Sequence, residues 1–360
     1  MIRLPIVCLF AIALLPLSAG ALEDIRLPPG FSIEEYADVP NARSLAIGDN
    51  GTLFVGNRKG RSVYAVVEND KGSTQTLELI EGLDAPNGIA FHNGDLYVAE
   101  TDRVTRYKDI ESRLHDVPDG EVLDIQLSSK RHHGWRYIGF GPDDKLYISI
   151  GAPCNVCEET GYAEIVRMNP DGSERETYAS GVRNSVGFTW HPETGEFWFT
   201  DNGRDMLGDD LPACELNRAP EKGLHFGFPY CHAGEILDPE FGSGKDCGDY
   251  TPPAQKLGPH VAPLGLKFYS GDMFPAEYRG QIFIAEHGSW NRSKKIGYRI
   301  TLVRLEGGRA VSYEPFADGW LQNESVSGRP VDLEVLGDGS MLVSDDFAGK
   351  VYRITYRDPN

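Results

Sequence analysis

Ala46-Ile-Gly-Asp-Asn-Gly-Thr-Leu-Phe-Val55 is a short apolar run that reaches an Asn-Gly turn and restarts as a second apolar run. Clear further copies are Ile89-Ala-Phe-His-Asn-Gly-Asp-Leu-Tyr-Val98, Ile138-Gly-Phe-Gly-Pro-Asp-Asp-Lys-Leu-Tyr-Ile148 and Leu333-Glu-Val-Leu-Gly-Asp-Gly-Ser-Met-Leu-Val343. Looser copies run from Val186 to Phe199 and from Leu264 to Ile284. Two apolar runs joined by such turn residues are the sequence form of a β-hairpin. We therefore predict six small antiparallel sheets.

The spacing of the hairpins predicts how the sheets are arranged. Residues that open the second strand of each hairpin are 43, 50, 51, 85 and 59 positions apart: Leu53, Leu96, Leu146, Phe197, Ile282 and Met341. Spacings close to the first three values are typical of a four-stranded propeller blade. The two longer spacings indicate insertions, chiefly between Asp201 and Ala262. We predict an all-β fold, a six-bladed β-propeller with loop insertions. A β-sandwich is the alternative, and the regular recurrence argues against it.

The two ends of the chain carry separate signals. Residues 1–21 contain the cation Arg3, an apolar stretch from Ile6 to Leu17 and small residues before position 22, which is typical of a cleaved signal peptide. The expected mature chain, residues 22–360, is a single propeller domain in the periplasm or outside the cell, without a transmembrane segment. The run 31–36 is expected to complete the last blade beside residues 351–356 and so remove an exposed edge.

The formal charge is −19, and it becomes −20 once Arg3 leaves with the signal peptide. This acidity argues against nucleic acid or an anionic membrane as a partner. It serves solubility, or it steers a cationic redox partner, and the sequence does not separate these alternatives. A closed ring without an evident apolar stripe is expected to be a monomer.

Five cysteines remain after the signal peptide, and an oxidising compartment favours disulfides. Cys154-Asn-Val-Cys157 is followed by Glu158 rather than the His of a haem attachment site, so a tight local disulfide is expected. Cys231 and Cys247 are candidates to close a second loop, which would leave Cys214 unpaired. Spacing alone does not determine the connectivity.

The innermost strand of each propeller blade runs along the central channel, so residues that lead into those strands converge on one mouth. Here they are Arg43, Asn87, His132, His133, Arg183, Asn184 and Arg329. Clustered guanidinium groups are costly to bury unless an anion neutralises them, and arginine grips carboxylates through two parallel hydrogen bonds. Any single arginine would more often pair with a loop carboxylate, but the set predicts a small polyanionic ligand.

Histidine is the side chain whose ordinary pKa lies closest to working pH, and a nearby Arg183 favours its neutral form, which accepts a proton. If the segment is extended, only one of His132 and His133 faces the channel. Residues 200–210 and 215–217 are rich in oxygen donors of the kind that Ca²⁺ prefers, although the EF-hand spacing is missing and a solvated acidic loop is the alternative.

Several motifs together resemble the soluble quinoprotein glucose/sorbosone dehydrogenase family, especially its exported aldose sugar dehydrogenases. They are His133 ahead of Gly141-Pro142-Asp143, Arg183-Asn184, Asn202-Gly203, Ala285-Glu-His-Gly-Ser-Trp-Asn-Arg292, Arg329 before Asp332, and Ser344-Asp-Asp-Phe-Ala-Gly-Lys-Val-Tyr-Arg353. The resemblance implies oxidation of an aldose or related aldehyde at the anomeric carbon, with hydride transfer to pyrroloquinoline quinone (PQQ) and then to a separate acceptor. PQQ has three carboxylates, which suits the predicted polyanion.

The resemblance also assigns roles to individual residues. His133 would be the general base, and Arg183 would support negative charge on the reduced quinone. The expected cofactor-binding set is Arg43, Arg183, Asn184, His287, Arg292 and Arg329. Backbone oxygens of Gly203 and Arg204 match positions that hold the cofactor-bridging Ca²⁺, and Glu215 with the Phe226 carbonyl matches a structural Ca²⁺ site.

This chain departs from the family pattern at several positions. Arg204 replaces an expected proline, and Arg43 stands where a substrate-contacting glutamine is expected. The expected quinone-side lysine has no clean match, leaving Arg292 or Lys294. Two rivals stay open: a metal-dependent lactonase on the same fold, which would use carboxylates and amides from several blades, and a non-catalytic propeller that binds a polymer or protein.

Overall fold

Six sheets of four or five strands make up the computed structural model, which describes residues 22–359; all strand pairs in them are antiparallel except the outermost pair of blade 3, which is parallel. From the inside outward, blade 1 is Ala42–Ile47, Leu53–Asn57, Val63–Glu68 and Thr74–Ile80, and blade 2 is Gly88–His92, Asp95–Ala99, Val104–Tyr107 and Glu121–Val122. Blade 3 is Ile138–Phe140, Leu146–Ile150, Glu164–Met168, Glu176–Ser180 and Leu224–His225; blade 4 is Phe188–Trp190, Phe197–Asp201, Ala213–Ala219 and Gln255–Pro259. Blade 5 is Pro263–Phe268, Ile282–Glu286, Arg299–Glu306 and Arg309–Ala317, and blade 6 is Pro330–Val335, Met341–Asp345, Lys350–Tyr356 and Phe31–Asp38. The predicted six-bladed propeller is confirmed.

The last blade is completed by the first strand of the described chain, as predicted. Phe31–Asp38 pairs antiparallel with Lys350–Tyr356, and Phe31 lies opposite Tyr356. The Phe31 ring also packs against Phe274 and Phe316, with ring centroids 4.8 and 5.0 Å apart. Because this strand pairs with residues more than three hundred positions away, it joins the ends of the ring and removes an open edge.

The insertions lie mainly in blade 4, where the spacing predicted them. Its second and third strands are separated by residues 202–212. Its third and fourth strands are separated by residues 220–254, which contribute Leu224–His225 to blade 3 and the small hairpin Cys231–His232 with Ile236–Leu237. A second small hairpin, Leu321–Gln322 with Ser325–Val326, precedes blade 6. Three short 3₁₀ helices are Ile110–Arg113, Cys247–Asp249 and Ala276–Tyr278.

Both candidate disulfides are present. Cys154 is bonded to Cys157, Cys231 is bonded to Cys247, and Cys214 is a buried free thiol. Within residues 22–359, the structure contains no helix with the length and apolar character needed to cross a bilayer. The predicted signal peptide, residues 1–21, lies outside the described residues.

Apolar faces of neighbouring blades form the core, and hydrogen bonds near the channel join the blades. The Ser344 hydroxyl donates to the Arg43 carbonyl between blades 6 and 1, and the Thr200 hydroxyl donates to the Leu264 carbonyl between blades 4 and 5. The largest fully buried side chains are Trp198, Trp320 and two arginines, Arg43 and Arg136, among others. A buried arginine requires compensating partners, so its surroundings indicate where polar chemistry is concentrated.

Candidate active site

A cavity of about 430 Å³ lies at one end of the central channel. The structure brings to its lining seven residues that the sequence selected: Arg43, His133, Arg183, Asn184, Gly203, His287 and Arg329. They meet because the first two strands of every blade are antiparallel, so the start of the first strand and the end of the second strand lie at the same end of the blade. The predicted convergence of distant cationic residues near His133 is therefore observed.

The Asp346 carboxylate joins three of these residues. It lies 3.1 Å from Nη1 of Arg43, 2.9 Å from Nη2 of Arg329 and 3.0 Å from Nε2 of His287. Hydrogen bonding from His287 and the nearby positive charges hold the pKa of Asp346 well below its usual range despite burial. Part of the predicted need for an external anion is thus met by the protein itself.

Asn87, which the sequence placed at the mouth, supports the site from below. Its side-chain oxygen accepts a 2.8 Å hydrogen bond from Nε of Arg43, and its amide donates to the Arg136 carbonyl at 2.8 Å. Asn87 is fully buried and does not line the cavity. It orients Arg43 and joins blades 1 to 3.

Arg183 is held by the loop that the Cys154–Cys157 disulfide closes. Its Nε donates to the Asn155 carbonyl at 2.8 Å, and its Nη2 donates to the Asn155 side-chain oxygen at 2.9 Å. Nη2 also lies 3.2 Å from the Asp205 carboxylate. These contacts fix the plane of the guanidinium group at the cavity wall, so Arg183 is preorganised before any ligand binds.

His133, rather than His132, lines the cavity. Its Nδ1 lies 2.8 Å from the Ala152 carbonyl, which requires a proton on Nδ1 and leaves the Nε2 lone pair as an acceptor. Burial, with Arg183 and His132 nearby, lowers the pKa of His133 to about 2. A Cβ added at Gly151 would lie 2.6 Å from the Cβ of His133, so this position requires glycine.

Arg58 and Trp135 also line the cavity and were missed in the sequence. The Arg58 guanidinium carbon lies 3.7 Å from the Trp135 ring centroid, a cation–π contact. Burial and the neighbouring Arg43 lower the pKa of Arg58 to about 10. Arg58 follows a second strand, as His287 and Asp346 do, whereas the residues predicted from the repeat lie ahead of first strands. Residues that end second strands carry the signal that would have found it.

The charges of the cavity do not balance. Four guanidinium groups, of Arg43, Arg58, Arg183 and Arg329, face two paired carboxylates, of Asp346 and Asp205, which leaves an excess of two positive charges. Nε of Arg329 is buried and has no hydrogen-bond partner within the described chain. An excess of cations and an unsatisfied donor are the features expected of a site that binds an anion.

The residues proposed to hold Ca²⁺ lie around a second, much smaller cavity lined by Gly203, Arg204, Glu215 and Phe226, together with Asp201. Asp201 and Glu215 face each other on adjacent strands, and burial and Glu215 raise the pKa of Asp201 to about 8. Two close buried carboxylates are relieved by a proton or a cation. No cluster of three or more His, Cys, Asp or Glu suited to a metal occurs among residues 22–359.

Two arginines of the predicted sets have side chains that pair away from the main cavity, although Arg204 was selected only for its backbone oxygen. The Arg204 guanidinium pairs with the buried Asp238, which also accepts from His232. Arg292 is absent from the cavity lining and donates instead to the Asp209 carbonyl at 3.0 Å and to the Asp210 carboxylate at 3.0 Å. The structure therefore does not bring Arg292 together with the other expected cofactor-binding residues.

The sequence of this chain is similar to those of several known proteins. A family model described as TrAA12-like matches residues 25–357. An uncharacterised protein of Borreliella burgdorferi is 34% identical over 369 residues, covering 98% of this chain and 96% of the relative. A pyrroloquinoline quinone-dependent pyranose dehydrogenase of Coprinopsis cinerea is 33% identical over 341 residues, covering 88% of this chain and 38% of that protein.

Solved structures share the fold at lower identity. The holo PQQ domain of the C. cinerea pyranose dehydrogenase superposes with a TM-score of 0.78 at 19% identity, covering 92% of this chain and 97% of that domain. A Trichoderma reesei protein of carbohydrate-active enzyme family AA12 gives 0.81 at 20% identity, covering 93% and 98%. PQQ-bound aldose sugar dehydrogenase of Streptomyces coelicolor gives 0.64 at 19% identity, covering 92% and 100%. Together, these matches confirm the resemblance to soluble quinoprotein sugar dehydrogenases.

Proposed function

Because this chain belongs to the TrAA12-like family, we propose that it is a quinoprotein oxidoreductase that oxidises an aldose or related aldehyde at the anomeric carbon. The observation that carries the proposal is the juxtaposition, in one cavity, of neutral His133 with an excess of guanidinium groups. A neutral histidine suits proton abstraction, and an excess of guanidinium groups suits a cofactor that bears several carboxylates.

The residues present fit PQQ. Arg43, Arg58 and Arg329 supply positive charge at one side of the cavity, and the unsatisfied Nε of Arg329 offers a donor to a carboxylate. Asn184 lines the same cavity and offers an amide. When bound, PQQ supplies an orthoquinone that accepts a hydride from the sugar. His287 would act through Asp346, whose position it fixes.

His133 is the proposed general base. Its Nε2 would remove the proton of the anomeric hydroxyl, while the hydrogen bond to the Ala152 carbonyl keeps the ring in the required tautomer. A bound polyanion would offset the part of the lowered pKa of His133 that Arg183 causes, although burial, the larger cause, would remain. Arg183, already oriented by Asn155, would stabilise negative charge that develops at its side of the cavity.

Ca²⁺ is proposed at two places. Carbonyls of Gly203 and Arg204 would hold the ion that acts as a Lewis acid toward the cofactor. Glu215 and the Phe226 carbonyl, with the adjacent Asp201, would hold a structural ion, which the raised pKa of Asp201 supports. Export through a cleaved signal peptide, a monomeric state and a separate electron acceptor complete the proposal.

The test is reconstitution of metal-free protein with PQQ and Ca²⁺, followed by dye reduction with a panel of aldoses. We expect turnover that needs both additions and that falls at least about a hundredfold in His133→Ala, the range for loss of a general base. His132→Ala is the matched control, and we expect a much smaller loss. Lactone hydrolysis without quinone, or no PQQ uptake, would contradict the proposal.

A further inference from the structure

Trp290 lines the cavity, yet its residue surface is 72% exposed. An indole ring held in water forgoes the free energy of burying a large apolar surface. The other exposed large apolar side chains of the described chain include Met206, which lies in the loop that faces Trp290. Such a pair at the edge of a ligand cavity calls for a functional reason.

The exposure of Trp290 is not caused by a loose loop. Ser289 N donates to the Ile296 carbonyl at 2.9 Å, Ile296 N donates to the Ser289 hydroxyl at 3.0 Å, and the Tyr298 hydroxyl donates to the Ser289 carbonyl at 2.7 Å. The residue immediately before Trp290 is thus fixed on both its backbone and its side chain. The indole is presented on a rigid support.

The residues after Trp290 fasten this loop to the insertion of blade 4. Met206 N donates to the Asn291 side-chain oxygen at 3.1 Å, and Ser293 N donates to the Asp209 carboxylate at 2.9 Å. Arg292 adds its bonds to the Asp209 carbonyl and the Asp210 carboxylate. Arg292 therefore has a structural role here, because its bonds join the two loops.

Between these loops lies an open groove of about 530 Å³, lined by Met206, Gly208, Asp209, Trp290, Asn291 and Arg292, among others. Trp290 lines both this groove and the cavity, so the two spaces adjoin at this residue. The groove therefore combines an apolar platform with amide, carboxylate and guanidinium groups at its sides. A pyranose ring has the same two properties, since it presents C–H groups on its faces and hydroxyl groups around its edge.

We propose that Trp290 and this groove bind the second and further units of a carbohydrate chain whose reducing-end unit enters the cavity. The inference rests on the proposed function, because it takes oxidation at the anomeric carbon as its starting point. Oxidation there leaves the rest of the chain attached at another position of the same sugar, and the adjoining groove gives that chain a place to lie. A protein ligand would call for a larger apolar centre than one indole and one thioether.

The test compares glucose with cellotetraose and with maltotetraose, using protein loaded with PQQ and Ca²⁺. In Trp290→Ala we expect the ratio of kcat/KM for a tetraose to kcat/KM for glucose to fall about tenfold in at least one series, the loss typical of one aromatic contact. Trp290→Phe should restore part of the ratio. Val311→Ala, which removes an exposed apolar side chain of blade 5, is the control and should leave the ratio unchanged. Ratios unchanged within twofold in both series would overturn the proposal.

A second measurement separates this inference from the proposed function. Quinone-free protein is titrated with each tetraose while acrylamide quenching of tryptophan fluorescence is followed, and we expect protection that Trp290→Ala abolishes. Protection without any sugar oxidation would retain the groove and refute the proposed function. Sugar oxidation in which Trp290→Ala changes neither the protection from quenching nor the ratio of kcat/KM values would retain the proposed function and refute the groove. An effect of Trp290→Ala confined to the KM of a protein electron acceptor would overturn the carbohydrate assignment in favour of a docking face.

Discussion

Nη2 of Arg329 lies 2.9 Å from the Asp346 carboxylate, and this carboxylate is shared with Arg43 and His287. One buried acid thus holds together residues from blades 1, 5 and 6. The arrangement keeps two arginines close enough to receive a common ligand and still leaves the cavity with excess positive charge. The same contacts of Asp346 therefore stabilise the propeller and position the residues of the cavity.

Asp346→Asn is expected to lower the free energy of unfolding by about 3 kcal/mol, because it leaves buried guanidinium groups without their anion. Urea denaturation measures this change. The control is Asp102→Asn, whose carboxylate pairs with the exposed Arg103, and we expect a change below about 1 kcal/mol. Equal effects of the two substitutions would show that the Asp346 network is not a stabilising centre.

The two disulfides are expected to have different effects when removed. Cys154→Ser with Cys157→Ser frees the loop that places Asn155 against Arg183, so we expect the kcat of reconstituted protein to fall about tenfold or more with little loss of stability. Cys231→Ser with Cys247→Ser opens a loop of sixteen residues, so we expect about 3 kcal/mol less stability and a smaller loss of kcat.

Asn155→Ala tests the same contact without changing a disulfide, and it should reproduce the lower kcat. Denaturation curves and steady-state kinetics on all three variants check the pattern. If removing the Cys154–Cys157 bond left kcat unchanged, the loop would have no part in positioning Arg183.

The buried His133 predicts a specific pH dependence in quinone-free protein. The folded state keeps the ring neutral because its pKa is lowered from 6.5 to about 2, whereas the unfolded chain takes up a proton as pH falls below 6.5. Stability is therefore lost on acidification. Between about pH 6.5 and pH 5, wild type should lose about 1.6 kcal/mol more than His133→Asn. Parallel pH profiles for the two proteins would show that His133 is not buried as a neutral ring.

Ca²⁺ is expected to stabilise metal-free protein by about 2.7 kcal/mol at a hundredfold excess over its Kd. Glu215→Gln should remove the share of this effect that comes from the structural ion at Glu215, because it removes one of the two facing carboxylates. Glu235→Gln, which alters an exposed residue paired with Lys256, is the matched control and should keep it. Equal stabilisation of wild type and Glu215→Gln would place Ca²⁺ elsewhere.

The fold was predictable because its information is local. Each blade carries its own turn residues and strand alternation, and the pairing of residues 31–36 with residues 351–356 was predictable because it removes an exposed edge. Arg43, His133, Arg183 and Arg329 were predictable because the repeat converts sequence position into position at the channel mouth. Arg58 and Asp346 were not predicted because they follow second strands, whereas the convergence rule selects residues ahead of first strands.

Other features had no local signal. Asn87 supports Arg43 from below because its amide joins two neighbouring blades, which spacing does not indicate. Arg292 bonds to residues more than eighty positions away in another loop, so its place depends on how two insertions pack. Contacts between loops are determined by the folded surroundings rather than by the pattern of either segment.

Titration of the metal-free protein with PQQ in the presence of Ca²⁺, followed by calorimetry, tests the central claim most directly. We predict one PQQ per chain, with affinity that falls at least about tenfold in Arg329→Ala and in Arg58→Ala and that weakens as salt rises. Arg309→Ala, in the outermost strand of blade 5, should bind as wild type does. No saturable binding, or binding that is indifferent to Arg329 and Arg58, would contradict the account.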